Sequence, residues 1–193
     1  PAGTQFQECL LSALVGTELD VTHVYALRPV ESFPRQPKLI YRARSVILEG
    51  ALPATLIGFV NAGALKTLTG GVTLFPRLVA WAWRERSRRR VILLYNLYSP
   101  PGAVTLIAAR FTLTRLVAIV PDLPIPGEGL LPDTVLRRLD FWLQKIAIRH
   151  FDVFVVLTRL MVADFAPSIP WIQMEGALPD RLLHELPAQR QHS

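Results

Sequence analysis

The sequence predicts an α/β domain built on a mainly parallel sheet with helices on both faces. Two observations predict it. Short apolar runs recur at 21–27, 56–61, 90–96, 116–120, 151–157 and 172–174, with Gly, Pro, Asn, Asp or Thr close by each. Helical patterns lie between several of these runs, and strands alternating with helices argue for βαβ units.

The elements follow in order. Residues 5–15 form a helical pattern, with Phe6, Leu10, Leu11 and Leu14 on one stripe. The run 21–27 predicts a buried strand closed by Pro29, and 33–44 a Pro- and Arg-rich loop with a short edge strand. Residues 56–61 predict one short strand before a glycine-bearing turn. A helix is expected over 72–84, although Pro76 restricts where it can start.

The next unit is the clearest. A strand over 90–96 ends in Tyr95-Asn96, a turn holds Pro100, Pro101 and Gly102, and a helix spans 103–111. A strand over 116–120 ends at Pro121-Asp122. A Pro- and Gly-rich loop then leads to a long helix, 133–150, for which Asp133 is a plausible N-cap. Strands over 151–157 and 172–174 follow, with a short helix between them capped by Thr158.

The totals bound the class. A chain of 193 residues suits one domain with appendages, and 51% hydrophobic residues suffice for a core. One cysteine, Cys9, excludes an internal disulfide and a thiolate metal cage. The four histidines are spread out, so no metal site is expected. The apolar runs are interrupted too early for a membrane span. A cytoplasmic protein is therefore expected, with peripheral contact at the inner membrane face left open.

The net charge of +6 favours anionic partners, and much of it lies in Arg84, Arg86, Arg88, Arg89 and Arg90. Two readings stand for this cluster. The cations complement the carboxyl end of a helix, or, with Trp81 and Trp83 before them, they meet anionic lipid head groups. The membrane-facing set on the second reading is Trp81, Trp83, Arg86, Arg88, Arg89 and Arg90. Nucleic acid is not expected, because no aromatic platform, zinc-finger spacing or helix-turn-helix is present.

Parallel sheets bind ligands beyond the carboxyl ends of their strands. Three strands end there in notable residues: Tyr95-Asn96, Pro121-Asp122 and Glu175-Gly176. Asn96 can donate and accept hydrogen bonds to a hydroxylated ligand. Asp122 can orient a hydroxyl or take its proton. Both can instead bond to loop backbone. The loop 121–129, which contains Glu128, reads equally as a cover for a site or as a stiffened connection. No phosphate-binding P-loop, dinucleotide fingerprint or nucleophile elbow occurs.

The ordered segments resemble a known family. Phe6 with Leu10-Leu11, Asp20-Val21-Thr22, 56–61, 91–96, 117–122, 151–158, Met161 through Phe165, and 170–176 follow one another as in the acceptor-side, N-terminal domain of bacterial family 4 glycosyltransferases. The similarity spans about residues 4 to 185, and 151–158 with 172–176 carries it most. The resemblance implies a Rossmann-like domain, one half of a GT-B architecture. It implies retaining transfer of a sugar from a nucleotide sugar to a glycan or polyprenyl-linked acceptor, without a metal, in bacterial cell-envelope polysaccharide biosynthesis.

On this resemblance, residues 1–178 are the acceptor-binding domain lacking its first strand, and 179–193 begin the interdomain linker after a short helix. The donor nucleotide sugar would be held by a C-terminal domain beyond Ser193, so the isolated chain is expected to be inactive. Asp122 would be the catalytic residue, Tyr95, Asn96, Asp122 and Glu128 would contact acceptor, and Glu175 and Gly176 would line the interdomain cleft. The family's histidine near the end of the strand over 117–120 has no clear match. The competing expectation is a non-catalytic carbohydrate or protein interaction module of the same fold. Another two-domain α/β transferase or epimerase is a third.

Overall fold

The computed structural model describes residues 10–11, 13–14, 20–48, 52–97, 100–121, 135–165 and 168–174. Within them the chain is mixed α/β. Its centre is a four-stranded, wholly parallel sheet of β6 (Val91–Tyr95), β7 (Arg115–Val120), β8 (Val153–Val156) and β9 (Trp171–Gln173), in that spatial order. The connections are α2 (Pro101–Phe111), α3 (Val135–Ile148) and α4 (Leu160–Phe165). Parallel crossovers are right-handed, so sequential strand order puts all three helices over one face.

The core is on that face. Leu116, Ala118 and Val120 of β7 and Phe154 and Val156 of β8 are buried with Ala109 of α2, Ile148 of α3, and Met161 and Val162 of α4. The opposite face carries Val91, Leu93, Val117, Val153, Val155 and Ile172, which the parallel register brings side by side. Val91, Leu93 and Ile172 are exposed there. Asp152 ties the starts of β7 and β8, its carboxylate accepting the Leu116 N–H at 2.8 Å and lying 3.7 Å from Arg110.

The earlier half of the chain forms separate strand sets. β1 (Val24–Ala26) pairs in parallel with β4 (Pro53–Leu56), and β3 (Arg44–Ile47) pairs antiparallel on the other side of β4. β2 (Ile40–Tyr41) pairs antiparallel with β5 (Phe59–Val60). The expected single strand over 56–61 is thus two strands in different sheets. The cause is a backbone crossing at Gly58, where an added Cβ would lie 2.8 Å from the Ala43 nitrogen and 3.0 Å from the Tyr41 carbonyl oxygen. Both ladders keep one antiparallel register through this interruption, because Tyr41 faces Phe59 and Arg44 faces Leu56.

Helix α1 (Leu65–Arg84) starts seven residues earlier than the sequence predicts and carries Pro76 inside it. Pro76 removes the N–H that would reach the Val72 carbonyl. Val72 is on the exposed side, where water can satisfy that oxygen. The first turns are held by side chains. Thr69 Oγ1 accepts the Val60 N–H at 2.9 Å, and the Thr73 hydroxyl donates to the Gly58 carbonyl at 2.8 Å. Gly70 and Gly71 let α1 approach its neighbours. A Cβ at Gly70 would meet the Leu27 side chain at 2.8 Å, and one at Gly71 would meet Val104 of α2 at 3.2 Å.

Candidate functional site

The parallel sheet aligns the carboxyl ends of its strands along one edge, and Asn96 stands at the end of β6. Its backbone is left-handed, with φ 69°. Asparagine adopts this region more readily than other side-chain-bearing residues, because its short amide bonds locally. Here the Asn96 N–H donates to the Ile119 carbonyl at 2.9 Å, and Oδ1 accepts the Leu97 N–H at 2.9 Å. The local backbone bond weighed from sequence is therefore formed at Oδ1. The amide Nδ2 has no partner among the described residues, so a donor remains for a ligand hydroxyl.

The strand-to-helix turn behind Asn96 is tight. Leu97 is buried, and Gly102 brings the first turn of α2 close to the Leu97 carbonyl, 3.4 Å from an added Cβ. Tyr95 is half-buried and pairs in register with Ile119. Asp122, Glu128, Glu175 and Gly176 lie outside the described residues, as do residues 122–134 and the stretch expected to form the C-terminal helix. The described part of the expected acceptor site is thus Tyr95-Asn96.

The basic, tryptophan-bearing flank divides into two sides. Trp81 and Trp83 are two residues apart on one helix and so face opposite ways. Trp81 turns inward, and its indole N–H donates to Thr22 Oγ1 at 2.8 Å. Trp83 is exposed. Arg90 also turns inward, donating to the carbonyls of Ala82 and Thr112. Arg88 is paired with Asp20 at 2.6 Å and with Glu85 at 3.9 Å. Arg84, Arg86 and Arg89 are exposed, with no ion pair among the described residues.

Sequence reasoning missed a groove beside these residues. Tyr25 of β1 and Arg77, Ala80, Trp83 and Arg84 of α1 line an open depression of about 530 Å³. The helical spacing of Arg77, Ala80 and Arg84 was the available signal, but Tyr25 comes from 52 residues before Arg77. The Tyr25 hydroxyl donates to the Arg77 carbonyl at 3.4 Å, and its ring is 4.5 Å from that of His23. Burial raises the Tyr25 phenol pKa, opposed by the Arg84 and Arg77 charges. Burial, then the Arg84 charge, lowers that of His23, whose Nε2 is 2.8 Å from Thr55 Oγ1. The surface of the groove is mostly apolar, and Arg77 Nη1 donates to the Thr73 carbonyl of its own helix at 2.7 Å.

Among the described residues no cluster of three His, Cys, Asp or Glu could hold a metal ion, and no helix is long and apolar enough to cross a membrane. No protein-family model matches the chain. No curated protein matches it either.

Proposed function

We propose that this chain is the acceptor-binding half of a GT-B glycosyltransferase. In this reading the complete enzyme transfers a sugar, with retention, from a nucleotide sugar to a glycan or lipid-linked acceptor. The observation that carries the reading is strand order. β1 is the edge of one sheet and β6 the edge of the other, and each pairs in parallel with its inner neighbour. One further parallel strand between β1 and β6 would join them into a doubly wound sheet whose order reverses at that strand.

Ligands of such sheets bind at the reversal, beyond the strand carboxyl ends. Asn96 directly follows β6 at that point, and its amide donor suits an acceptor hydroxyl. Asp122, two residues past β7, is proposed as the group that orients the attacking hydroxyl or takes its proton. Tyr95 and Glu128 would complete the acceptor contacts, with Glu175 and Gly176 at the cleft. In this reading, the donor nucleotide sugar and neutralisation of its leaving phosphates belong to the donor-binding domain of the complete enzyme.

The test uses the gene product extended at both ends. Titration with a panel of nucleotide sugars should show saturable binding, and Asp122→Asn should lower turnover with donor binding unchanged. A folded two-domain protein that binds no nucleotide sugar would remove the proposal. It would leave a non-catalytic module of the same fold.

A further inference from the structure

We propose that the outer face of α1 is a docking surface for an anionic lipid bilayer. The face is a continuous apolar stripe. Leu65, Leu68, Val72, Pro76 and Trp83 recur at three-, four- and seven-residue spacing, which stacks them along one side of the helix. All five are exposed; Leu68, Val72 and Trp83 reach 49%, 63% and 62%. The buried residues of the same helix, Gly70, Gly71, Leu78 and Ala82, lie on other sides of it. A helix of 20 residues is about 30 Å long, so the stripe is an extended patch rather than a scattered leucine.

Charge selects the occupant. α1 contains no Asp or Glu. Arg77 and Arg84 flank its carboxyl half and line the groove with Trp83 and Tyr25, and Arg86 and Arg89 follow, exposed. The nearby acids Asp20 and Glu85 are already paired with Arg88. The patch is therefore apolar along its length and cationic at one end. A helix lying in the plane of a bilayer presents this pattern, with leucines in the acyl boundary and guanidinium groups at lipid phosphates. The exposed Arg84, Arg86 and Arg89 meet head-group phosphates at that end, and the exposed Trp83 indole takes the interfacial position. This placement does not depend on glycosyl transfer, and it brings a lipid-linked acceptor to the same molecule if that reading holds.

The experiment is cosedimentation of the 193-residue chain with vesicles. Binding to phosphatidylcholine–phosphatidylglycerol vesicles should exceed binding to phosphatidylcholine alone and fall as salt rises. Leu68→Glu with Val72→Glu should abolish it. Arg84→Ala, Arg86→Ala and Arg89→Ala should each weaken it about fivefold. Arg88→Ala, whose charge is paired internally, should change it less. Trp83→Gln supplies a second stripe variant, and a thermal melt checks that each variant is folded. Absence of binding to the anionic vesicles overturns the proposal, as does binding unaffected by both stripe variants. A dimer in solution that the stripe variants dissociate, with vesicle binding intact, assigns the face to a second copy and overturns it too. Nucleotide-sugar binding by the extended protein should be unaffected by the stripe variants, so the two proposals fail separately.

Discussion

Gly58 and Ala43 touch backbone to backbone: a Cβ on Gly58 would stand 2.8 Å from the Ala43 nitrogen. This contact lets one antiparallel register continue from β3–β4 into β2–β5 while the chain changes sheets. Gly58→Ala should therefore destabilise the fold by about 2 kcal/mol, the usual cost of forcing atoms into a filled space. Gly63 is the comparison, with φ 46° and nothing within 4 Å of an added Cβ. Gly63→Ala should cost about 1 kcal/mol, from backbone strain alone. Chemical denaturation would measure both, and a Gly58→Ala midpoint equal to wild type would mean that the crossing yields.

The two tryptophans of α1 should separate in the same assay. Trp81→Phe removes the donor to Thr22 and should lose about 1 kcal/mol. Trp83→Phe touches an exposed position and should stay within about 0.5 kcal/mol of wild type. Equal losses at the two sites would contradict the inward and outward assignment.

His23 predicts a pH dependence. Burial, and then Arg84, hold its folded-state pKa below the ordinary 6.5, so the unfolded chain binds the proton more readily. Its contribution to stability is present above about pH 6.5 and is lost progressively as pH falls below that value toward the folded pKa. Stability measured from neutral pH down to acid should fall less steeply in His23→Gln. A nuclear magnetic resonance titration that places the His23 midpoint at or above 6.5 would refute the assignment.

Much of the second half was legible because its strands carry their own signals. β6, β7 and β8 are apolar runs ending at Asn96, Pro121 and Thr158, and their boundaries came out within a few residues. The break at Gly58 was not legible. Leu56 through Asn61 reads as one apolar run, and its division depends on a chain segment about fifteen residues away. The early start of α1 was hidden by Pro76, whose cost is offset by a solvated carbonyl rather than by anything nearby in sequence. Pairing Trp81 with Trp83 ignored the helical period, although residues two apart never share a face. Of the expected acceptor site, Tyr95-Asn96 is described, and its left-handed backbone explains why asparagine ends β6.

Asn96 allows backbone and side chain to be tested apart. Its φ of 69° costs a β-branched residue more than it costs asparagine, and glycine least. Asn96→Gly should therefore keep stability within about 1 kcal/mol of wild type despite losing the bond to the Leu97 N–H, because glycine relieves the strain. Asn96→Val should destabilise by about 2 kcal/mol. If the Nδ2 donor holds an acceptor hydroxyl, Asn96→Gly in the complete enzyme should raise the acceptor KM while the protein remains as stable as wild type. An unchanged acceptor KM in a stable Asn96→Gly enzyme would assign Asn96 to the turn alone and move the acceptor site away from the end of β6.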